Sequence, residues 1–393
     1  MLDTKDSLKN AEDNKEDGMI KHNYLTQQFE YSECIIDDIR AVVRKGDFTL
    51  GEQVESFENN VRLMLGSRFA VGVNSGTDAL FLSLKAVGVG SGDEVITSPY
   101  TFYATVGAIV ATGARPVFVD IGEDYNIDPS LIEKAITVKT RAIIPVHWAG
   151  LPCIMDEVMM IAAKKRLHVI EDSCQAVMSR YNGKAAGTFG VTGCFSMHPL
   201  KNLNAWGDAG FIVTDDEEIY SRLIQLRNHG LEDRDKCVRF GYNSRLDSIQ
   251  AVVANHVLLE LSRITQARRL NAGYLDKGLK NIKQVTVPHR STNAEHVYHL
   301  YVIQAEQRDN LQRYLVENGI DAKVHYPTPM HLQPAARPLG YSPGDFPVCE
   351  ATCKSVLSLP VHEFITGEDV MRMAGLVSDF YAQIPAAQEM AVK

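Results

Sequence analysis

Three short stretches of the sequence carry side chains suited to chemistry rather than to packing. The first is Ser196-Met197-His198-Pro199-Leu200-Lys201-Asn202, where a lysine stands on a loop between two apolar runs, Gly193–Met197 and Gly210–Thr214. Solubility gives little reason for a lysine there, and burial would lower its ammonium pKa and prepare the amine for Schiff-base chemistry. The second is Val169-Ile170-Glu171-Asp172-Ser173-Cys174-Gln175, in which Asp172 leaves an apolar run. A carboxylate so placed is partly desolvated and either takes a cationic or donor partner or caps the next helix. The third is Asn74-Ser75-Gly76-Thr77-Asp78-Ala79-Leu80, a polar turn opening an apolar helix. Free N–H groups beside a hydroxyl at a helix start suit a phosphate, and the same residues also make a ligand-free N-cap.

Two other features read as ordinary structure. Gly88-Val89-Gly90-Ser91-Gly92 follows a helical stretch and precedes a strand, the reverse of a dinucleotide fingerprint. It reads as a turn, which argues against a nicotinamide oxidoreductase. Cys349 and Cys353 are the only closely spaced cysteines, with no second pair or histidine at zinc-site spacing, so buried thiols are expected and no metal.

The elements that must position these residues begin at residue 69. Strands are expected at Phe69–Val73, Glu94–Ser98, Pro116–Ile121, Arg141–His147, His168–Asp172, Gly193–Met197 and Gly210–Thr214, with helical stretches Asp78–Val87, Thr105–Thr112, Pro129–Ile136, Cys153–Lys165 and Glu217–Asn228. That alternation predicts an α/β fold around a mostly parallel sheet, whose ligands sit beyond the carboxyl ends of the strands. A long helix is expected over Leu246–Ala272, then a smaller α+β unit with strands Val297–Ile303 and Ala322–His325 and helices Arg308–Glu317 and Asp369–Tyr381. The expected division is a leader at 1–18, a large domain at 19–260 and a small C-terminal domain at 261–393.

The chain has 393 residues, 45% hydrophobic and 23% charged, and its formal charge of −9 leaves no basic field for nucleic acid or anionic lipid. Met1–Gly18 is dense in charge and nearly without apolar residues, the composition of a flexible leader rather than a signal peptide. No apolar run approaches the ~20 residues that cross a bilayer. The 7 cysteines are odd in number and scattered, as reduced thiols are, so a cytoplasmic protein is expected.

Taken in order, these pieces resemble the DegT/DnrJ/EryC1/StrS group of pyridoxal-phosphate sugar aminotransferases, of the fold type I superfamily. The resemblance runs from about residue 25 to 382. It also rests on Gly92-Asp93-Glu94-Val95-Ile96, Thr101-Phe102-Tyr103-Ala104-Thr105, Arg227-Asn228-His229-Gly230, Gly241-Tyr242-Asn243-Ser244-Arg245-Leu246-Asp247 and His325-Tyr326-Pro327.

The resemblance implies that Lys201 would bind the cofactor covalently and then act as the base that moves the proton, with Asp172 paired to the pyridinium nitrogen. Gln175 would lie on the phenolic-oxygen side and Phe102 on the ring face. Ser75, Gly76, Thr77 and Ser196 would hold the phosphate, and Asn243 would reach it from a second subunit, implying a homodimer with shared sites. His198, His229, His325, Tyr326 and His331 are candidate substrate residues, and Arg245 and Lys323 candidate cations for a nucleotide. Asn204 and Ala209 stand where many relatives have Gly and, with Trp206, are expected to shape the sugar pocket or a subunit contact. The implied reaction moves an amino group from glutamate or glutamine to a nucleotide-linked keto-sugar, 3-keto favoured over 4-keto. A dehydratase or deaminase on the same scaffold and a non-catalytic regulator are the alternatives.

Overall fold

A computed structural model describes residues 18–383. The expected leader lies, Gly18 apart, outside the described residues.

Seven strands, β1 (Phe69–Val73), β2 (Glu94–Thr97), β3 (Arg115–Phe118), β4 (Thr140–Ile144), β5 (His168–Asp172), β6 (Thr192–Ser196) and β7 (Gly210–Thr214), form one sheet in the order β1-β7-β6-β5-β4-β2-β3. Every pairing is parallel except those of β7, which runs antiparallel to both β1 and β6. The sequence of β7, Gly-Phe-Ile-Val-Thr, is buried at every position, as expected of a strand covered on both faces. One face packs on Phe57, Val61, Val253 and Val257, the other on Leu80, Leu84, Ile109 and Leu223. At roughly 1.5–3 kcal/mol for each large side chain removed from water, these two layers are the main source of stability.

The helix Ser248–Leu279 joins the two cores of the molecule. Val253, Val257, Leu261 and Ile264 serve the large core, while Ala272, Leu275 and Leu279 pack with Ile303, Leu311, Leu357 and Met373 in a second. Ile20, numbered with the large unit in the sequence-based division, lies in this second core and bridges to Ile320. There a three-stranded antiparallel sheet forms from β8 (Val285–Thr286), β9 (Tyr301–Ala305) and β10 (Val356–Leu359).

Three differences from the expected elements have local causes. The strand expected from Val297 begins only at Tyr301, because Val297 N donates to Gly150 O and Leu300 N to Ala149 O rather than to a ladder. The strand expected over Ala322–His325 reduces to one bridge, Lys323 to Ser358. Helices Glu33–Lys45, Glu52–Leu65 and Pro347–Ser355 were not expected; the second buries Val54, Phe57, Val61 and Leu65 along one face. The Gly88–Gly92 segment is a turn, with Gly88 and Gly92 at positive φ and Gly90 N donating to Asp93. Cys349 and Cys353 are buried, and all seven cysteines are free thiols. Among the described residues no helix is long and apolar enough to cross a membrane.

Candidate active site

The carboxyl ends of β5 and β6 converge with the start of the helix Gly76–Ala86, and all three expected stretches meet there. Consecutive residues of β5 project to opposite faces, which separates two neighbouring carboxylates. Glu171 is fully buried and saturated, accepting from Gly187 N at 2.7 Å, Phe189 N at 2.6 Å, Gly190 N at 2.7 Å and His147 Nε2 at 2.9 Å. His147 Nδ1 accepts from Cys153 N, so its proton sits on Nε2 and points at Glu171. Asp172 is also buried but takes only the Thr105 hydroxyl at 2.7 Å and its own turn's Cys174 N at 3.2 Å. Thr101 in turn lies 2.6 Å from the Thr105 hydroxyl, completing a short chain that holds Asp172. Among the described residues no Lys, Arg or His pairs with the Asp172 carboxylate, leaving it room for a cationic donor.

Lys201 stands on the loop between β6 and β7. Desolvation pulls its ammonium below the usual lysine range, opposed by Cys174 where that thiol is ionised and by the Asp172 carboxylate. Burial, reinforced by Asp172, pushes the Cys174 thiol well up, so it stays protonated. The amine of Lys201 is 3.4 Å from His299 Nε2, and Tyr24 donates to the Lys201 carbonyl. The loop is braced by Asn204, which donates to Pro199 O at 2.7 Å and to Gln28 at 2.8 Å. Asn204 and Ala209 are buried, and Trp206 packs edge-on against Phe29. Asn204 thus braces the loop from within, while Trp206 is only partly buried.

The helix start supplies an anion cradle. Ser75 caps it, its hydroxyl accepting from Asp78 N at 3.1 Å, while Ala79 N takes Ser75 O. That leaves the Gly76 and Thr77 amides without helical acceptors, as the first amides of any helix are. Gly76 is required by space: a Cβ there would stand 2.6 Å from Ser196 Cβ and 2.9 Å from Cys174 Sγ. On the opposite side Gly210 packs so closely that a Cβ would lie 2.5 Å from the Ser75 carbonyl carbon.

Gln175 spends its Oε1 on Ala149 N at 2.7 Å, leaving the amide N–H groups to donate. Phe102 and Tyr103 are 49% and 53% exposed, unusual for rings beside a buried site, and both face Tyr326 at 6.0 and 6.5 Å between centroids. His325 lies beside Tyr326, its Nδ1 2.8 Å from the Ser358 hydroxyl, and burial lowers its pKa to about 4. His198 is exposed on the lysine loop, with its pKa lowered by partial burial and by Lys201.

Other expected residues fall elsewhere. His331 is buried against Phe346 and paired with Glu350 at 3.0 Å, a packing role in the small unit. His229 is exposed in a left-handed conformation, its N–H bonded to Tyr242 O. Asn243 and Arg245 line a cavity of about 180 Å³ with Asn74, Phe48 and Thr49, and Arg245 donates to Asn228. Lys323 is held by Asp321 at 2.5 Å. Sequence reasoning missed two participants. Thr105 stood inside a quoted motif without a role, and His299 gave no signal, being one aromatic in Tyr298-His299-Leu300-Tyr301.

Residues 30–378 match the DegT/DnrJ/EryC1/StrS aminotransferase family. A "pleiotropic regulatory protein" of Geobacillus stearothermophilus is 39% identical, over 91% of this chain and 97% of its own. A dTDP-3-amino-3,4,6-trideoxy-alpha-D-glucose transaminase of Streptomyces venezuelae is 38% identical, over 93% of this chain and 97% of its own. The crystal structure of S. venezuelae DesV in complex with a ketimine intermediate superimposes with a TM-score of 0.90 at 37% identity, covering 92% of this chain and 98% of that one. The PLP form of a sugar aminotransferase, Spr1654 from Streptococcus pneumoniae, described as putative in its own report, superimposes with a TM-score of 0.83 at 28% identity, covering 88% and 96%.

Proposed function

From its membership of the DegT/DnrJ/EryC1/StrS aminotransferase family, in which this chain belongs, we propose that the protein moves an amino group from glutamate or glutamine to a 3-keto sugar carried on a nucleotide diphosphate. The fold is fold type I, the enzyme is an aminotransferase and its cofactor is pyridoxal 5'-phosphate. The family sets aside the nicotinamide oxidoreductase. The 3-keto preference is supported by the 3-amino sugar named for the Streptomyces transaminase.

One observation carries the reading: a buried carboxylate without a cationic partner among the described residues, Asp172, shares its site with a desolvated lysine and a glycine-shaped helix start. The three match a ring N–H, an aldehyde and a phosphate. When bound, pyridoxal phosphate supplies an electrophilic carbon for amines and a sink for carbanion charge. Lys201 would attack that carbon as a free amine and, once displaced by substrate amine, hold and return the migrating proton at Nζ. Asp172, steadied by Thr105, would keep the proton on the ring nitrogen. Gln175 would donate to the phenolic oxygen through its free amide hydrogens. Phe102 would cover the ring face, and the Gly76 and Thr77 amides with the Ser75 and Ser196 hydroxyls would grip the phosphate. Asn243 would complete that grip from the partner copy of a homodimer, and His198, His325 and Tyr326 would face the sugar.

The test is the visible spectrum of the purified protein before and after glutamate, then after glutamine. Loss of the band of the lysine-linked cofactor with rise of the pyridoxamine band is expected with at least one donor. An unchanged spectrum with both would remove them as amino sources. Incubating the amino form with dTDP- and UDP-linked 3-keto and 4-keto sugars then reads the acceptor; reversal by 4-keto sugars alone would overturn the 3-keto assignment.

A further inference from the structure

We propose that His299 is a positioning residue for Lys201, its imidazole holding the lysine amine through Nε2 and favouring the free base over the ammonium ion. This rests on the reading of Lys201 as the reactive lysine. The two groups lie 98 residues apart in sequence and 3.4 Å apart in space. Their spacing is fixed by backbone on both sides of the histidine. Val297 N donates to Gly150 O at 3.1 Å, Leu300 N to Ala149 O at 3.4 Å, and Arg268 to Tyr298 O at 3.2 Å. Asn202, the residue after Lys201, donates to Val297 O at 3.1 Å. The lysine loop and the histidine segment are thereby stitched together, and both are tied to the turn that holds Gln175.

The bias toward the free base follows from hydrogen-bond accounting. Among the described residues His299 Nδ1 is buried with no partner. Burial first, then Lys201 while it is an ammonium, and Arg268, holds the imidazole well below its ordinary range, so it is neutral, with one donor and one acceptor nitrogen. Against an ammonium, Nε2 must accept, which strands the proton on Nδ1 as a buried N–H without an acceptor. Against a free amine, Nε2–H donates to the lysine lone pair and Nδ1 carries only its own lone pair. Orphaned buried N–H groups are the rarer and costlier kind. The charged and titratable groups facing the pair are Asp172 and Cys174 from the end of β5, His198 from the lysine loop, Arg268 from the long helix and His325. Of these Asp172 favours the ammonium, so His299 acts against it.

The experiment uses the full chain stripped of cofactor. Apoprotein is mixed with pyridoxal phosphate across pH 6 to 10, reduced with borohydride, and the adduct on Lys201 is counted by peptide mass spectrometry; the midpoint reports the amine. For His299→Ala the midpoint should rise by about one pH unit, about tenfold less capture at neutral pH. His299→Gln, which keeps an N–H donor, should stay near the parent. A His299→Ala profile that superimposes on the parent or moves to lower pH overturns the proposal. So does His299→Gln shifting as far as His299→Ala. Lys201→Ala, read by the reduced adduct on the whole chain, separates the two readings: if cofactor is still captured with the parent profile, Lys201 is not the reactive amine and the proposal falls with that reading.

Discussion

Glu171 and Asp172, neighbours on β5, are held in opposite conditions: Glu171 accepts four hydrogen bonds from within the protein, and Asp172 accepts two, neither from a cation. Replacing each by its amide should therefore have different effects. Glu171→Gln puts an NH2 against backbone donors and should cost about 1.5–3 kcal/mol of stability. Asp172→Asn should unfold at nearly the parental denaturant midpoint yet lose turnover on the order of 10²-fold or more. Urea titration beside steady-state rates decides; a comparable stability loss in both variants would remove the distinction.

Thr105 acts on the same carboxylate. Thr105→Val keeps the shape and deletes the 2.7 Å hydrogen bond, so we expect a several-fold fall in kcat with cofactor content unchanged. Equal rates for variant and parent would show that Thr105 does not steady Asp172.

Gly76→Ala tests the anion cradle. The added methyl meets Ser196 and Cys174 inside 3 Å, and the overpacking should cost about 1–3 kcal/mol. Phosphate grip should suffer more than the fold does. After gel filtration the variant should retain far less visible absorbance per chain than the parent, and full retention would place the phosphate elsewhere.

Burial holds His296 at about 3 and both His325 and His362 at about 4, below the 6.5 of an exposed imidazole. Between those values and 6.5 the unfolded chain binds more protons than the folded one, so stability rises with pH through that window and falls as pH drops. The thermal midpoint should decline from pH 6.5 toward 4. His362→Asn should shallow that decline, and a slope identical to the parent's would count against the histidine contribution.

Arg268 and Glu363 form a buried pair at 3.3 Å, with Arg268 also lying over Tyr24 and donating to Tyr298 O. Removing one partner leaves an uncompensated charge, so Glu363→Gln should lose about 3–5 kcal/mol. Chemical denaturation measures it; a change under 1 kcal/mol would mean water already reaches the pair.

The sheet was legible because β-branched runs such as Val71 to Val73 and Phe211 to Val213 are buried on both faces and carry no polar alternation to confuse them. The lysine loop, Asp172 and the Ser75 turn were legible because each stands where a strand meets a loop. Other features depend on distant partners. Val297 to Leu300 has strand composition, yet its amides are drawn to Ala149 and Gly150, which no local pattern announces. His331 resembles a pocket histidine in sequence and is buried only because Glu350 and Phe346 arrive from a helix that was not foreseen. His299 depends on two segments whose meeting is decided by tertiary packing.

The loop between β6 and β7 begins and ends at one neck: Ser196 pairs with Gly210, and Met197 N donates to Ala209 O at 2.8 Å. That neck touches the helix start, through Ser196 at Gly76 and Gly210 at Ser75. The anion cradle and the lysine are consequently the two jaws of a single caliper whose hinge is locked by the strand pairing. A pyridoxal analogue with its phosphate on a longer arm should bind more weakly than one that merely lacks a ring substituent, because selection here is by length: what enters must bring its anion and its carbonyl to both jaws at once.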